Sequence, residues 1–248
     1  MVTKNNIKNI DTDEPVRINK YLSDAGVCSR READRLIEAG KITVDGKKAV
    51  AGMKVTPDMR IVCNGKPVKR EKEFILIALN KPVGIECTSD RNNPDNIIDF
   101  VNYSKRIYTI GRLDKNSEGL ILMTNDGDIV NKISKSSNVH EKEYIVRVNK
   151  PITGEFVKNM QDGVKILDRV TRPCKVYQEN KDTFRIILTQ GLNRQIRRMC
   201  EALGYRVLEL KRIRVMNIRL GRLKTGTYRN VTKKEREELL EMIKDSKN

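Results

Sequence analysis

Residues 65–73, GKPVKREKE, limit what this chain can fold into more than any other feature. They are rich in glycine, proline and charge and poor in apolar side chains, the composition of a linker between separately folded units. A chain interrupted in this way does not build one continuous core. It divides into a small unit, residues 15–64, and a larger one, residues 74–248. The polar stretch 1–14 has no periodic apolar pattern and is expected to be a flexible N-terminus. A length of 248 residues leaves room for a small module and a larger domain with its own core.

The small unit reads as two helices followed by a hairpin. Ile18, Leu22 and Ala25 recur at helical spacing. Ser29 with Glu32 three residues on has the form of a capping box. The helix that follows, RREADRLIEAG, buries Ala33, Leu36 and Ile37 and stops at Gly40. Asp45-Gly46 then marks a hairpin turn, with strand-like pieces at Met53–Val55 and Ile61–Val62.

The larger unit has a different texture. ILIALNKPVG is a buried strand entering a Pro-Gly turn, and RIYTIGRLD is a second strand ending in a turn. Asp128 is expected to cap the helix DIVNKIS, and Asn193 or a neighbour to start RQIRRMCEALG. EYIVRV, FRIILTQ and the stretch Arg212–Leu220 read as strands. No βαβ rhythm repeats. The pattern predicts an α+β fold, with a mixed, mostly antiparallel sheet and flanking helices.

Charge narrows the function. The formal net charge is +17, which favours a polyanionic partner. Residues 194–236 alone carry fourteen Lys/Arg against three Glu. In the small unit Arg30, Arg31, Arg35 and Lys41 gather with Lys47 and Lys48 on one helix and the adjoining hairpin, the arrangement of a phosphate-contacting face. No stretch approaches 18 apolar residues, and MVTKNNIKNIDTDEP lacks the apolar segment of a signal peptide, so no membrane partner and a cytoplasmic location are expected. The five cysteines form no C-x-x-C pair, and His140 is the lone histidine. No metal and no cofactor are expected. Asn125-Asp126-Gly127-Asp128 has the wrong spacing for a calcium loop and reads as a turn with a helix cap. The acidic residues are too scattered for a metal-dependent nuclease.

The segment with most chemical content is GRLDKNSEGLILMTNDGD, residues 111–128. As alternate strand positions, Arg112 and Asp114 would share a face. A carboxylate held beside cations stays ionised and can serve as a nucleophile, although an isolated Arg-Leu-Asp more often makes only turn hydrogen bonds.

The small unit, RINKYLSDAGVCSRREADRLIEAGKITVDGK, resembles the S4 RNA-binding domain. GRLD with S-x-G-L after it resembles the motif of pseudouridine synthases. KPVGIECT (81–88), HEKEYIV (140–146) and GLNRQIRRMC (191–200) resemble that family's other blocks, in its order. The likeness is to the S4-containing branch that acts on ribosomal RNA. It implies a monomeric enzyme isomerising a uridine in ribosomal RNA, with large-subunit (23S) RNA favoured and small-subunit or transfer RNA open. It further implies Asp114 as nucleophile, Tyr144 against the target base and Arg197 paired with Asp114. Arg112, Leu113, Lys115, Arg194, Gln195 and Ile196 would be RNA contacts. The competing reading is an RNA-binding or ribosome-assembly factor with the same fold and no activity.

Overall fold

The computed structural model describes residues 14–69 and 73–247 and divides into two compact units, Met1–Glu73 and Phe74–Asn248. The start expected to be flexible, 1–14, lies outside the described residues except for Glu14.

In the first unit, β1 (Val16–Arg17) leads directly into α1 (Ile18–Asp24), and α2 (Arg30–Glu38) follows. Ser29 Oγ accepts the Glu32 amide at 3.1 Å and starts α2, while the Glu32 carboxylate turns to Arg35 rather than back to the cap. Ile18, Leu22, Ala33 and Ile37 form the helical half of this core. The other half comes from β2 (Ile42–Val44), β3 (Lys47–Lys48), β5 (Ile61–Cys63) and β6 (Lys66–Pro67), in sheet order β3-β2-β5-β6. The short strand β4 (Lys54–Val55) pairs with β1. Asp45 and Gly46 both take positive φ, 50° and 80°, as a two-residue hairpin turn requires. Asn64 and Gly65 repeat that turn at 48° and 76°, so Lys66–Pro67, assigned by composition to the linker, folds back as an edge strand. An edge strand tolerates proline because its outer N–H need not be donated.

The second unit is built on a nine-stranded sheet. In chain order its elements begin with β7 (Leu76–Lys81), α3 (Ile97–Val101), β8 (Tyr108–Ile110), β9 (Glu118–Thr124), α4 (Gly127–Ser134) and β10 (Lys142–Val148). Next come α5 (Gly154–Asp162) and a small separate hairpin of β11 (Lys165–Ile166) and β12 (Arg169–Val170). The chain continues through β13 (Lys175–Gln178), β14 (Thr183–Leu188), α6 (Gln195–Ala202), β15 (Val207–Val215), β16 (Ile218–Arg219), β17 (Tyr228–Asn230) and α7 (Lys233–Met242). The sheet order is β13-β14-β10-β15-β9-β7-β17, with β16 beside β15 and β8 beside β9. This is the mixed, mostly antiparallel α+β architecture that the element pattern predicts.

Burial explains the unbroken apolar run of β7. Ile75, Ile77 and Leu79 face α3 and its core, while Leu76 and Ala78 face α4 and α7. A strand covered on both faces loses its polar alternation. Packing of α5 and α6 covers the β10–β13–β14 half through Phe156, Met160, Ile196 and Met199. Eight elements of this unit escape the sequence pattern: α3, β9, α5, β11, β12, β13, β17 and α7. The helix KKEREELLEM buries only Leu239, too sparse a stripe to register, and β17 is three residues long at the sheet edge. Asp126, not Asp128, caps α4, because Asp126 is the last extended residue and its carboxylate accepts the amides of Asp128 and Ile129. Among the described residues no helix is long and apolar enough to cross a membrane.

The sheet has one parallel join. Glu118 and Gly119 of β9 lie beside Lys211 and Arg212 of β15, and β8 takes the rest of that edge at Leu122–Thr124. Gly119 has φ 108°, and a Cβ there would stand 2.3 Å from the Arg212 carbonyl oxygen. Gly119→Ala is therefore expected to lower stability by more than about 2 kcal/mol, combining backbone strain with a backbone clash. Gly221, at φ 56° with nothing within 4 Å, is the control. Its alanine variant should cost only about 1 kcal/mol. Equal denaturation midpoints for the two variants would show that the join accommodates a side chain.

Candidate active site

The loop between β8 and β9 carries Asp114. Gly111, at φ 72°, turns the chain out of the sheet right after Ile110, so Arg112 and Asp114 sit on a loop rather than on the expected strand. Three contacts pin that loop. Leu113 enters the core, and its amide donates to Cys87 Sγ at 3.4 Å. The Gly84 amide donates to Lys115 O at 2.8 Å, and the Ser117 amide to Asp114 O at 3.0 Å. The Pro-Gly turn supplying Gly84 is itself held by Lys81, fully buried, whose Nζ donates to Pro82 O and Ile85 O at 2.8 and 2.7 Å. Burial pushes the Lys81 amine below the ordinary lysine range.

Asp114 lines a cavity of about 410 Å³. Its walls are the Asp114 loop, Lys142 and Tyr144 of β10, residues Gln190–Arg197 and Arg212 of β15. Strand alternation puts Lys142 and Tyr144 on the cavity face of β10 and turns Glu143 away, where it pairs with Arg214 at 2.5 Å. Tyr144 and Arg212 are cross-strand partners. Of the lining side chains, Arg112, Lys142, Arg194, Arg197 and Arg212 are cationic, and Asp114 alone is acidic.

The expected Arg197–Asp114 pair takes another form. Arg194, at φ 50° just ahead of α6, brings Nη1 to 3.7 Å from Asp114 Oδ2. Arg197, three residues on, donates from Nη2 to Asn116 O (2.8 Å) and Ser117 Oγ (3.2 Å), and from Nη1 to Val207 O (3.4 Å). Its guanidinium is committed to the turn behind Asp114, so it fixes the loop and leaves the ion pair to Arg194. Burial, then the Arg194 charge, lowers the Arg197 pKa, and Asp114 opposes the shift.

The other expected contacts separate by position. Arg112 is exposed at the cavity. Leu113, Gln195 and Ile196 line it but are buried, at 7%, 4% and 5% exposure, so they shape the wall more than they offer surface. Gln195 Oε1 accepts the Leu192 amide at 3.0 Å and ties down the loop ahead of α6. Lys115 is exposed and paired with Asp95 at 2.8 Å. Arg30, Arg31, Arg35 and Lys41 are all exposed on the first unit. The sequence reading missed Lys142, Gln190 and Arg212. Lys142 had a signal, its two-residue spacing from Tyr144 on a strand. Arg212 looked like one cation among many in a basic stretch.

Comparison with known proteins places these blocks in context. A family model described as RNA pseudouridylate synthase matches residues 75–202, and an S4 domain model matches residues 16–61. The dual-specificity RNA pseudouridine synthase RluF of Escherichia coli is 53% identical over 236 residues, spanning 94% of this chain and 81% of the relative. The ribosomal large subunit pseudouridine synthase B of Bacillus subtilis is 37% identical, spanning 94% of this chain and 98% of the relative. A crystal structure of a pseudouridylate synthase superposes with a TM-score of 0.67 at 25% identity, covering 90% of this chain and 99% of that one.

Lys142 gives the cavity a pH signature. Burial, reinforced by Arg212, pushes its amine down to about 8 from 10.5. The folded state thus binds the proton less tightly than the unfolded chain does. The destabilisation is complete below about pH 8 and fades as pH rises toward 10.5. Lys142→Met should raise stability at pH 7 by roughly 2 kcal/mol. The gain should shrink by pH 9.5, as read from urea denaturation at both pH values. A gain that grew with pH would contradict a depressed amine.

Proposed function

Since the chain belongs to the RNA pseudouridylate synthase family, we propose that it isomerises a uridine of ribosomal RNA, with Asp114 as nucleophile and large-subunit (23S) RNA as principal substrate. The observation that carries the assignment of Asp114 is its place as the one carboxylate in a cavity with five cationic side chains. Arg194 at 3.7 Å forms an ion pair with that carboxylate and aims it. The large-subunit reading is supported by the Bacillus subtilis relative, named for that subunit. The Escherichia coli relative is named dual-specificity, which keeps a second RNA, such as a transfer RNA loop, in the reading.

The reaction conserves atoms. Asp114 attacks the target nucleotide, the C1′–N1 bond breaks, the uracil turns, a C1′–C5 bond forms, and the bond to Asp114 breaks to release the carboxylate. The proton on C5 leaves and N1 takes one up. Tyr144, half-buried on the cavity wall, packs against the base and assists that proton's departure. The nucleotide reaches Asp114 only by leaving its stack, at a cost of roughly a few kcal/mol. Phosphate contacts from Arg112 and Arg194 offset part of that cost. The exposed Arg30, Arg31, Arg35 and Lys41 of the S4 unit supply the RNA footprint outside the cavity. The protein works as a monomer in the cytoplasm, where it meets ribosomal RNA.

Two substitutions test the roles. The target is first mapped by carbodiimide-dependent reverse-transcription stops in RNA from cells with and without the protein. Asp114→Asn should then lose at least about three orders of magnitude in rate while RNA affinity stays within a few-fold. Turnover near wild type would remove Asp114 from the chemistry. Arg197→Ala should slow single-turnover isomerisation at saturating enzyme far more than it weakens binding, because it frees the turn behind Asp114. If it lost affinity alone, Arg197 would be a phosphate contact.

A further inference from the structure

The buried polar atoms left without a partner among the described residues are unevenly placed. Three are N–H donors: Gln190 Nε2, Arg197 Nε and Arg212 Nη2. All three belong to residues lining the Asp114 cavity. The other two, Asn80 Oδ1 and Asn217 Oδ1, are acceptors on residues outside that wall. Folded proteins pair nearly all of their buried donors, so three orphans on one cavity wall point to a ligand rich in acceptors.

Arg212 is the most telling. It is 2% exposed in the centre of the sheet, between the strands of Tyr144 and Gly119. Its Nε donates to Leu120 O at 2.6 Å and its Nη1 to Arg112 O at 3.4 Å. The fold fixes two of its nitrogens and leaves the third without an acceptor. Depth identifies what that third nitrogen meets. Arg112 and Arg194 are exposed and suit phosphates, which keep much of their water. A flipped base is uncharged and enters the deep end, where its carbonyl oxygens are its available acceptors.

Resting on the reading of this cavity as the uridine site, we propose that Arg212 Nη2 and Gln190 Nε2 each donate to one carbonyl oxygen of the flipped uracil. Arg212 does more than recognise the base. When C1′–N1 breaks, the electron pair leaves with the uracil and spreads over N1, O2 and O4. A hydrogen bond from a fixed guanidinium strengthens as that charge grows, and the guanidinium does not have to reorganise. The charge is relieved when C5 bonds to C1′ and the Asp114 carboxylate is released; the C5 proton then departs as N1 takes one up. A cytosine presents an amino group where uracil has O4, and would meet a donor with a donor at that position.

The test uses the full-length protein and an RNA fragment holding the mapped target, made with uridine, 2-thiouridine or 4-thiouridine at that one position. Sulfur is a poorer hydrogen-bond acceptor than oxygen. Single-turnover rates at saturating enzyme should fall roughly ten-fold when the oxygen facing Arg212 is replaced. Arg212→Lys should be slower on the all-oxygen RNA by about two orders of magnitude. It should also have lost most of the sensitivity to that sulfur. Gln190→Leu, a change on a partly exposed loop residue, should lose sensitivity to the other sulfur and serves if Arg212→Lys does not fold. Thio effects equal in wild type and variants would make both side chains merely structural and overturn the proposal. So would a wild type indifferent to both sulfurs. Absence of pseudouridine from wild type on all-oxygen RNA would instead overturn the functional reading on which this one rests.

Discussion

The parallel contact between β9 and β15 is only two residue pairs long, yet the site depends on it. It joins the antiparallel strands around β7 and β9, which carry the Asp114 loop, to those around β10 and β15, which carry Tyr144, Lys142 and Arg212. Gly119 makes the approach possible, since any Cβ would meet the backbone of Arg212. The Arg212 side chain then crosses the seam by donating to Leu120 O. The glycine of the S-x-G-L motif and the arginine of the facing strand thus work as a pair, one removing an obstacle and the other closing the gap.

The placement of Asp114 follows from that seam through further layers. The loop is anchored inward by Leu113 and Cys87, supported by the turn that Lys81 organises, and held from α6 by Arg197. None of these groups needs to touch a substrate for its loss to move the carboxylate. This accounts for an unusual set of buried polar residues: Lys81, Ser117, Gln195 and Arg212 are all nearly inaccessible, and all lie in or beside the site. Burying them costs solvation, which the unit recovers through backbone carbonyls and packing. The same burial works against the charge of Lys142, whose amine is pushed down to about 8, while it leaves the cavity's cations little screened by solvent.

The sequence by itself determined a good deal. Hydrophobic periodicity gave the helix 30–38, the strands of the EYIVRV and FRIILTQ stretches and the mixed α+β class, because these elements bury one regular face. Resemblance of short runs to the blocks of pseudouridine synthases singled out Asp114, Tyr144 and the Arg194–Arg197 segment, since each run is compact and combines unusual residues. Net charge gave the polyanionic partner. Each of these signals is local, and a local signal survives in the order of residues along the chain.

Tertiary structure decided the rest. That Arg194 rather than Arg197 faces Asp114 depends on a residue at φ 50° ahead of α6, which no periodicity announces. That Lys66–Pro67 is a strand depends on the Asn64-Gly65 turn finding β5 behind it. Arg212 stands 98 residues after Asp114, and in sequence it is one cation in a basic run. Only the parallel join turns it from a solvated charge into a buried donor on the cavity wall. Local chemistry fixes what a residue can do, and long-range contacts fix its burial and its partners. For a charge, burial and partners decide what it does.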